Sequence, residues 1–196
     1  MKVSIVTSSR ADFGLLKNLI VDLKKEKSVK VSTVVTGSHF SKKHGNTYEE
    51  IIQNKIKIDN KILLTNKAMT PKDLLSDVSI FLKKLSIFFN KEKPDILIIL
   101  GDRYEIFASA ICAYFHNIPI AHLHGGELTN GSLDNDIRHS ITKLSQLHFV
   151  ATERYKKRVI QLGENPKNVF IVGGLGAESI LRTKIFSKKK SSKLLN

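Results

Sequence analysis

Short runs of β-branched and other apolar residues alternate along this chain with longer segments whose apolar positions recur every three or four residues. The runs are KVSIVTS (2–8), VKVSTVVTG (29–37), DILIIL (95–100), IPIAHL (118–123), LHFVAT (147–152) and NVFIVG (168–173). Such unbroken hydrophobicity belongs to strands covered on both faces, and the alternation predicts βαβ units in an α/β fold with a doubly wound parallel sheet. Helices are predicted over ADFGLLKNLIVDLKKEK, TPKDLLSDVSIFLKKLSIFFNKEK, RYEIFASAICAYFHN, SLDNDIRHSITKLSQ and TERYKKRVIQLG. The second opens with Thr70 before Pro71 and has Asp73 in its first turn, a strong helix start. Its apolar residues Leu74, Leu75, Val78, Phe81, Leu82, Leu85, Phe88 and Phe89 predict a wide core-facing stripe. IKIDNKILL (56–64) fits either an edge strand or an extended loop. The pattern fades after residue 182, so one Rossmann-like domain is expected over 1–182 and a basic, disordered tail over 183–196.

Composition narrows the classes. A hydrophobic share of 41% over 196 residues is ordinary for one soluble domain. The single cysteine, Cys112, lies in an apolar helical segment and reads as a buried thiol, so no disulfide framework argues for secretion. MKVSIVTSS is too short and too polar for a signal peptide, and no run approaches the roughly 18 apolar residues of a membrane span. A cytoplasmic protein without membrane contact is expected. The formal charge of +14 raises the question of nucleic acid, but the lysines are scattered and no nucleic-acid signature accompanies them. A lysine-rich solvated surface is the expectation, with attraction to an anionic small molecule left open.

In open α/β sheets, ligands bind outside the carboxyl ends of the strands. The residues there are SSRADFG after the first run, TGSHFSKKHG after the second, GDRYE after the third, HLHGGELTNGS after the fourth and GGLG after the sixth. No GxGxxG follows the first strand and no Walker lysine loop is present, which argues against the usual dinucleotide and P-loop sites. His122 and His124 suggest a metal pair by spacing alone, but alternate strand residues point to opposite faces, so no metal site is expected. Carboxylates stand out on this rim: Asp102, Glu127, Asp134 and Asp136. Acid–base chemistry uses such groups, with arginines to hold an anionic substrate. Asp134 reads first as a helix cap; Asp102 and Glu127 read as functional, because Gly101 and Gly125–Gly126 suggest close backbone approach.

SIVTSSRADFGLL, VTGSHFSKKHGNTYEEI, PDILIILGDRYEIFASA, IPIAHLHGGELTNGSLDNDIRHSITKLSQLHFVATE and NVFIVGGLGAESI together resemble the hydrolysing UDP-N-acetylglucosamine 2-epimerases of bacterial sialic acid synthesis. A near branch of that family uses UDP-2,4-diacetamido-2,4,6-trideoxyglucose on the way to legionaminic acid. The resemblance implies the N-terminal half of a two-domain fold of the glycosyltransferase-B type, a UDP-amino sugar as substrate and no cofactor. It implies elimination of UDP to a 2-acetamidoglucal, followed by addition of water to give N-acetylmannosamine. By motif, Asp102, Glu127 and Asp136 would be the catalytic carboxylates. Arg10 would approach the diphosphate, His39 and Arg103 would line the cleft, and Arg138 and His139 would either touch substrate or brace the carboxylates. The family's second domain has no counterpart in these 196 residues. A truncated or split epimerase, weakly active alone, is the first expectation. The others are a non-catalytic subunit pairing with a separate second domain, or half of a glycosyltransferase. An exposed strand rim would favour self-association.

Overall fold

The computed structural model describes residues 1–65, 70–129 and 133–182. The expected tail, 183–196, lies outside them. Seven strands form one sheet: β1 (Lys2–Thr7), β2 (Lys30–Val35), β3 (Asn60–Lys61), β4 (Ile96–Leu100), β5 (Ile120–Leu123), β6 (Leu147–Val150) and β7 (Val169–Ile171). Every pairing is parallel, in the order β3-β2-β1-β4-β5-β6-β7. The helices are α1 (Arg10–Lys25), α2 (Tyr48–Gln53), α3 (Pro71–Glu92), α4 (Tyr104–Phe115), α5 (Asp134–Leu144), α6 (Glu153–Gln161) and α7 (Leu175–Arg182). The doubly wound sheet is therefore as expected. β3 settles the question left by IKIDNKILL: it is an edge strand of two residues, held where the Asp59 carboxylate accepts from the Thr33 amide at 3.0 Å.

Alternation along the strands supplies two cores. Val6, Val34, Leu97, Ile99 and Ile120 face α3, α4 and α5 and pack with Phe81, Leu85, Phe89, Ile106 and Ile141. Val3, Ile5, Val35, Leu100 and Leu123 face the other way, against Phe13, Leu16 and Ile20 of α1, with Leu175 of α7 beside them. Each buried leucine, isoleucine or phenylalanine contributes about 1.5–3 kcal/mol relative to exposure, so both faces of the sheet must stay covered. Both long helices begin with the reciprocal caps their sequences imply, Ser9 with Asp12 and Thr70 with Asp73.

The stripe of α3 departs from expectation at its start. Leu75 is 67% exposed, while Asp77 is fully buried and accepts from the Thr65 amide at 2.8 Å. Asp77, in the second turn of α3, thus supplies an acceptor to the backbone at Thr65, past β3. Phe81, Leu85 and Phe89 take up the core further along.

A candidate active site at the reversal of strand order

Strand order reverses between β1 and β4, and connections leave that seam on opposite sides of the sheet, opening a crevice at its carboxyl edge. A cleft of about 420 Å³ lies there, lined by Ser9, Asp12, Gly101, Asp102, Arg103, His124, Glu127, Asp134 and Arg138 among others. The loops after β1, β4 and β5 thus meet as the strand ends suggested.

Asp102 stands just past β4 and Arg138 one turn into α5. The Arg138 guanidinium donates from Nη2 to Oδ2 of Asp102. Arg138 is buried, and neither its Nε nor its Nη1 has a hydrogen-bond partner. Such unmet donors on a buried cation are costly. Gly101, at φ 79°, turns the chain out of β4, and no atom lies near the place a Cβ would occupy. Its need is the left-handed backbone, with open cleft beyond it.

After β5 the chain makes a second sharp turn. His124 sits at φ 62°, a conformation costly for a residue with a side chain. Its Nδ1 lies 3.0 Å from Oε1 of Glu127, and its Nε2 is 3.4 Å from the amide of Leu175 at the start of α7. An acceptor role for Nε2 leaves the proton on Nδ1, so a neutral imidazole satisfies both neighbours. Burial alone would raise the Glu127 carboxyl, but the hydrogen bond from His124 and the charge of Arg138 oppose it, and the pKa is lowered. The glycines before Glu127 serve packing rather than ligand approach. A Cβ on Gly126 would fall 2.6 Å from the Tyr155 carbonyl of α6, and one on Gly125 would press on His122 and Thr142.

The two histidines of HLHGG have separate partners, and His124 lies past the end of β5, where strand alternation no longer applies. His122 is fully buried, with Nε2 2.9 Å from the Gly101 carbonyl and Nδ1 3.2 Å from Thr142 Oγ1. Burial pushes it down to about 3, despite the opposing hydrogen bond to Gly101. Among the described residues, no group of three or more histidine, cysteine or carboxylate side chains is arranged to hold a metal ion.

Several expected residues stand elsewhere. Asp136 and His139 do not reach the cleft; they line a groove between α4 and α5 with Phe107, Ile111 and Lys143. Residues two apart on a helix are about 200° apart around it, so with Arg138 and Asp134 turned to the cleft, Asp136 must face away. His39 is fully buried, its Nε2 3.0 Å from Thr7 Oγ1 and its Nδ1 2.8 Å from Thr47 Oγ1, and burial lowers its pKa despite the nearby carboxylates of Asp12 and Glu50. It braces the loop beneath the rim. Arg10 is exposed, paired with Glu50 at 3.0 Å, and lines a neighbouring groove with Asn46 and Thr47.

Three cleft residues were not singled out as functional from the sequence. Asp134 lines the cleft where Asp136 was expected, and His124 carries Glu127. Asp12 accepts from Thr7 Oγ1, the Ser8 and Ser9 amides and both serine hydroxyls, at 2.8–3.1 Å. The S-x-x-D cap spacing was the signal available for it.

The family model described as UDP-N-acetylglucosamine 2-epimerase matches residues 21–196. The chain is 42% identical over 189 residues to polysialic acid biosynthesis protein P7 of Escherichia coli, which covers 96% of this chain and 48% of that protein. It is 42% identical over 196 residues to the GDP/UDP-N,N'-diacetylbacillosamine 2-epimerase (hydrolyzing) of Campylobacter jejuni, covering 99% of this chain and 50% of the relative. The crystal structure of the Neisseria meningitidis UDP-GlcNAc 2-epimerase bound to UDP-GlcNAc superposes with a TM-score of 0.80 at 22% identity, over 92% of this chain and 49% of the other. The chain spans about half the length of the relatives it matches, and its fold is that of one half of the two-domain epimerases. On this match, and at this length, the chain belongs to the UDP-N-acetylglucosamine 2-epimerase family.

Proposed function

We propose that this chain carries one half-site of a hydrolysing 2-epimerase acting on a UDP-amino sugar, completed by a second Rossmann-like domain. The carrying observation is a single cleft that joins the Asp102–Arg138 pair to Glu127 and Asp134. In the first step a carboxylate takes the C2 proton, the C1–O bond breaks and the electron pair leaves with UDP, forming the C1=C2 bond of a glycal. Water then adds oxygen to C1 and a proton to the opposite face of C2. Asp102, Glu127 and Asp134 are the candidates for proton transfer to and from carbon, water and the leaving phosphate. Arg138, paired with Asp102, and Arg103, half exposed in the same cleft, are the guanidinium groups placed to hold the diphosphate.

UDP-N-acetylglucosamine, giving N-acetylmannosamine, is the first substrate to test. The diacetamido analogue is the second, favoured by the 42% identity to the Campylobacter enzyme. The test is an NMR time course of the purified chain with each sugar nucleotide, with and without the second domain of a full-length relative. Product with the mixture and little with the chain alone is expected, since both domains would place charge around the transition state. No product from either sugar, with folded and associated domains, would leave a binding subunit as the surviving reading.

A further inference from the structure

Arg103 is held by a residue that the cleft itself does not expose. Glu105 lies in the first turn of α4, 1% exposed, directly beneath the rim. Its Oε1 accepts from Arg103 Nη2 at 3.1 Å and its Oε2 from Arg103 Nε at 3.2 Å, a two-pronged contact. The space for this carboxylate is made by another loop: Gly37, after β2, has φ 60°, and a Cβ there would fall 2.5 Å from Glu105 Oε1 and 2.6 Å from the Ser8 carbonyl. Loops after β1, β2 and β4 therefore close around one buried acid.

We propose that Glu105 is a positioning residue that fixes the plane of the Arg103 guanidinium for the diphosphate of the substrate; this rests on the nucleotide-sugar reading given above. An unrestrained arginine spends much of its side-chain freedom on ordering when it meets a ligand. The forked contact orders it beforehand. Two of the five guanidinium N–H groups are taken by Glu105, and three remain for phosphate oxygens. The ion pair adds little net charge to the cleft, so its effect is geometry rather than long-range attraction. That also accounts for Gly37 and for the place of Glu105 in GDRYE, neither of which the proposed chemistry uses directly.

The test uses the full 196-residue chain and UDP as probe, comparing wild type, Glu105→Ala, Glu105→Gln, Arg103→Met and the double variant Arg103→Met/Glu105→Ala. Affinity comes from an NMR titration, and the Nε–H signal of Arg103, assigned by its loss in Arg103→Met, reports the contact directly. Glu105→Ala should weaken UDP about tenfold, matching Arg103→Met, with the double variant no weaker than either. The Arg103 signal should be slowly exchanging in the wild type and average with exposed arginines in Glu105→Ala. Glu105→Gln, which keeps size and one acceptor, should fall between, and it carries the comparison if the alanine variant fails to fold. Unchanged affinity on loss of Glu105, or losses that add in the double variant, overturns the proposal. A folded wild type with the slow Arg103 signal but no UDP binding even with the associated second domain of a full-length relative present overturns the nucleotide reading beneath it instead.

Discussion

Arg138 reaches from α5 across the carboxyl edge of the sheet to Asp102 at the end of β4, and the two partners differ in access to water: the arginine side chain is 8% exposed, the aspartate 19%. Loss of either partner is therefore unequal. Asp102→Ala removes the direct ion-pair partner of a buried cation and should cost about 3 kcal/mol. Arg138→Met leaves a carboxylate at an open rim, where water reaches it, and should cost about 1 kcal/mol. Urea unfolding of both variants measures the difference.

Asp134 and Asp136 should separate cleanly in turnover. With the second domain supplied, Asp134→Asn is expected to lower the rate at least about 100-fold, the scale of a lost proton-transfer group. Asp136→Asn, on the outer groove, should stay within about twofold. Equal losses would return Asp136 to the site.

The glycines order by what surrounds them. Gly126→Ala drives a methyl group onto the Tyr155 carbonyl at an already left-handed φ of 76°, and should cost more than about 2 kcal/mol. Gly101→Ala meets only the backbone penalty of about 1–2 kcal/mol, because the space around it is open. Thermal midpoints of the two variants should therefore rank Gly126→Ala below Gly101→Ala.

Acid should weaken the fold through its buried histidines. His39, His122 and His148 are fully buried with lowered pKa values, chiefly through burial. Below the unfolded value near 6.5 the unfolded chain binds protons that the native state refuses, so stability is full above that pH and falls as pH drops toward the folded values. For His122 the window runs from 6.5 down to about 3. Each such histidine contributes a slope of about 1.4 kcal/mol per pH unit well inside its window. Urea midpoints between pH 7 and 4 should track this, and His122→Asn should flatten the curve by one proton.

Much of the fold was legible because both sheet faces are covered: buried parallel strands are continuous apolar runs, and those at 95–100 and 118–123 could hardly be anything else. β3 was not, since two residues carry no periodicity. Leu75 left its expected core place, and Asp77 is buried instead, because the backbone leaving β3 needed an acceptor, a tertiary demand invisible in α3 alone. In the site, the strand-end rule placed Asp102, Arg103 and Glu127 correctly in one cleft. The choice between Asp134 and Asp136 depended on the rotational setting of α5, which follows from where the preceding loop delivers it. The paired glycines before Glu127 resembled a ligand approach; what comes close is the backbone of α6.

The seam between β1 and β4 also bears on how the chain reaches its native state. Val3, Ser4 and Ile5 pair with Ile96, Leu97 and Ile98, and the bond from the Lys2 amide to the Asp95 carboxylate spans 93 residues. β1 and β2 can zip together early, but the centre of the sheet waits for a distant segment to arrive, and loop-closure entropy is lost before that contact is made. Closure of this seam should be a slow step of folding. Because Asp12, Asp102 and Arg103 flank the same seam, a molecule that has passed that step has joined the β1 and β4 walls of its cleft in the same event.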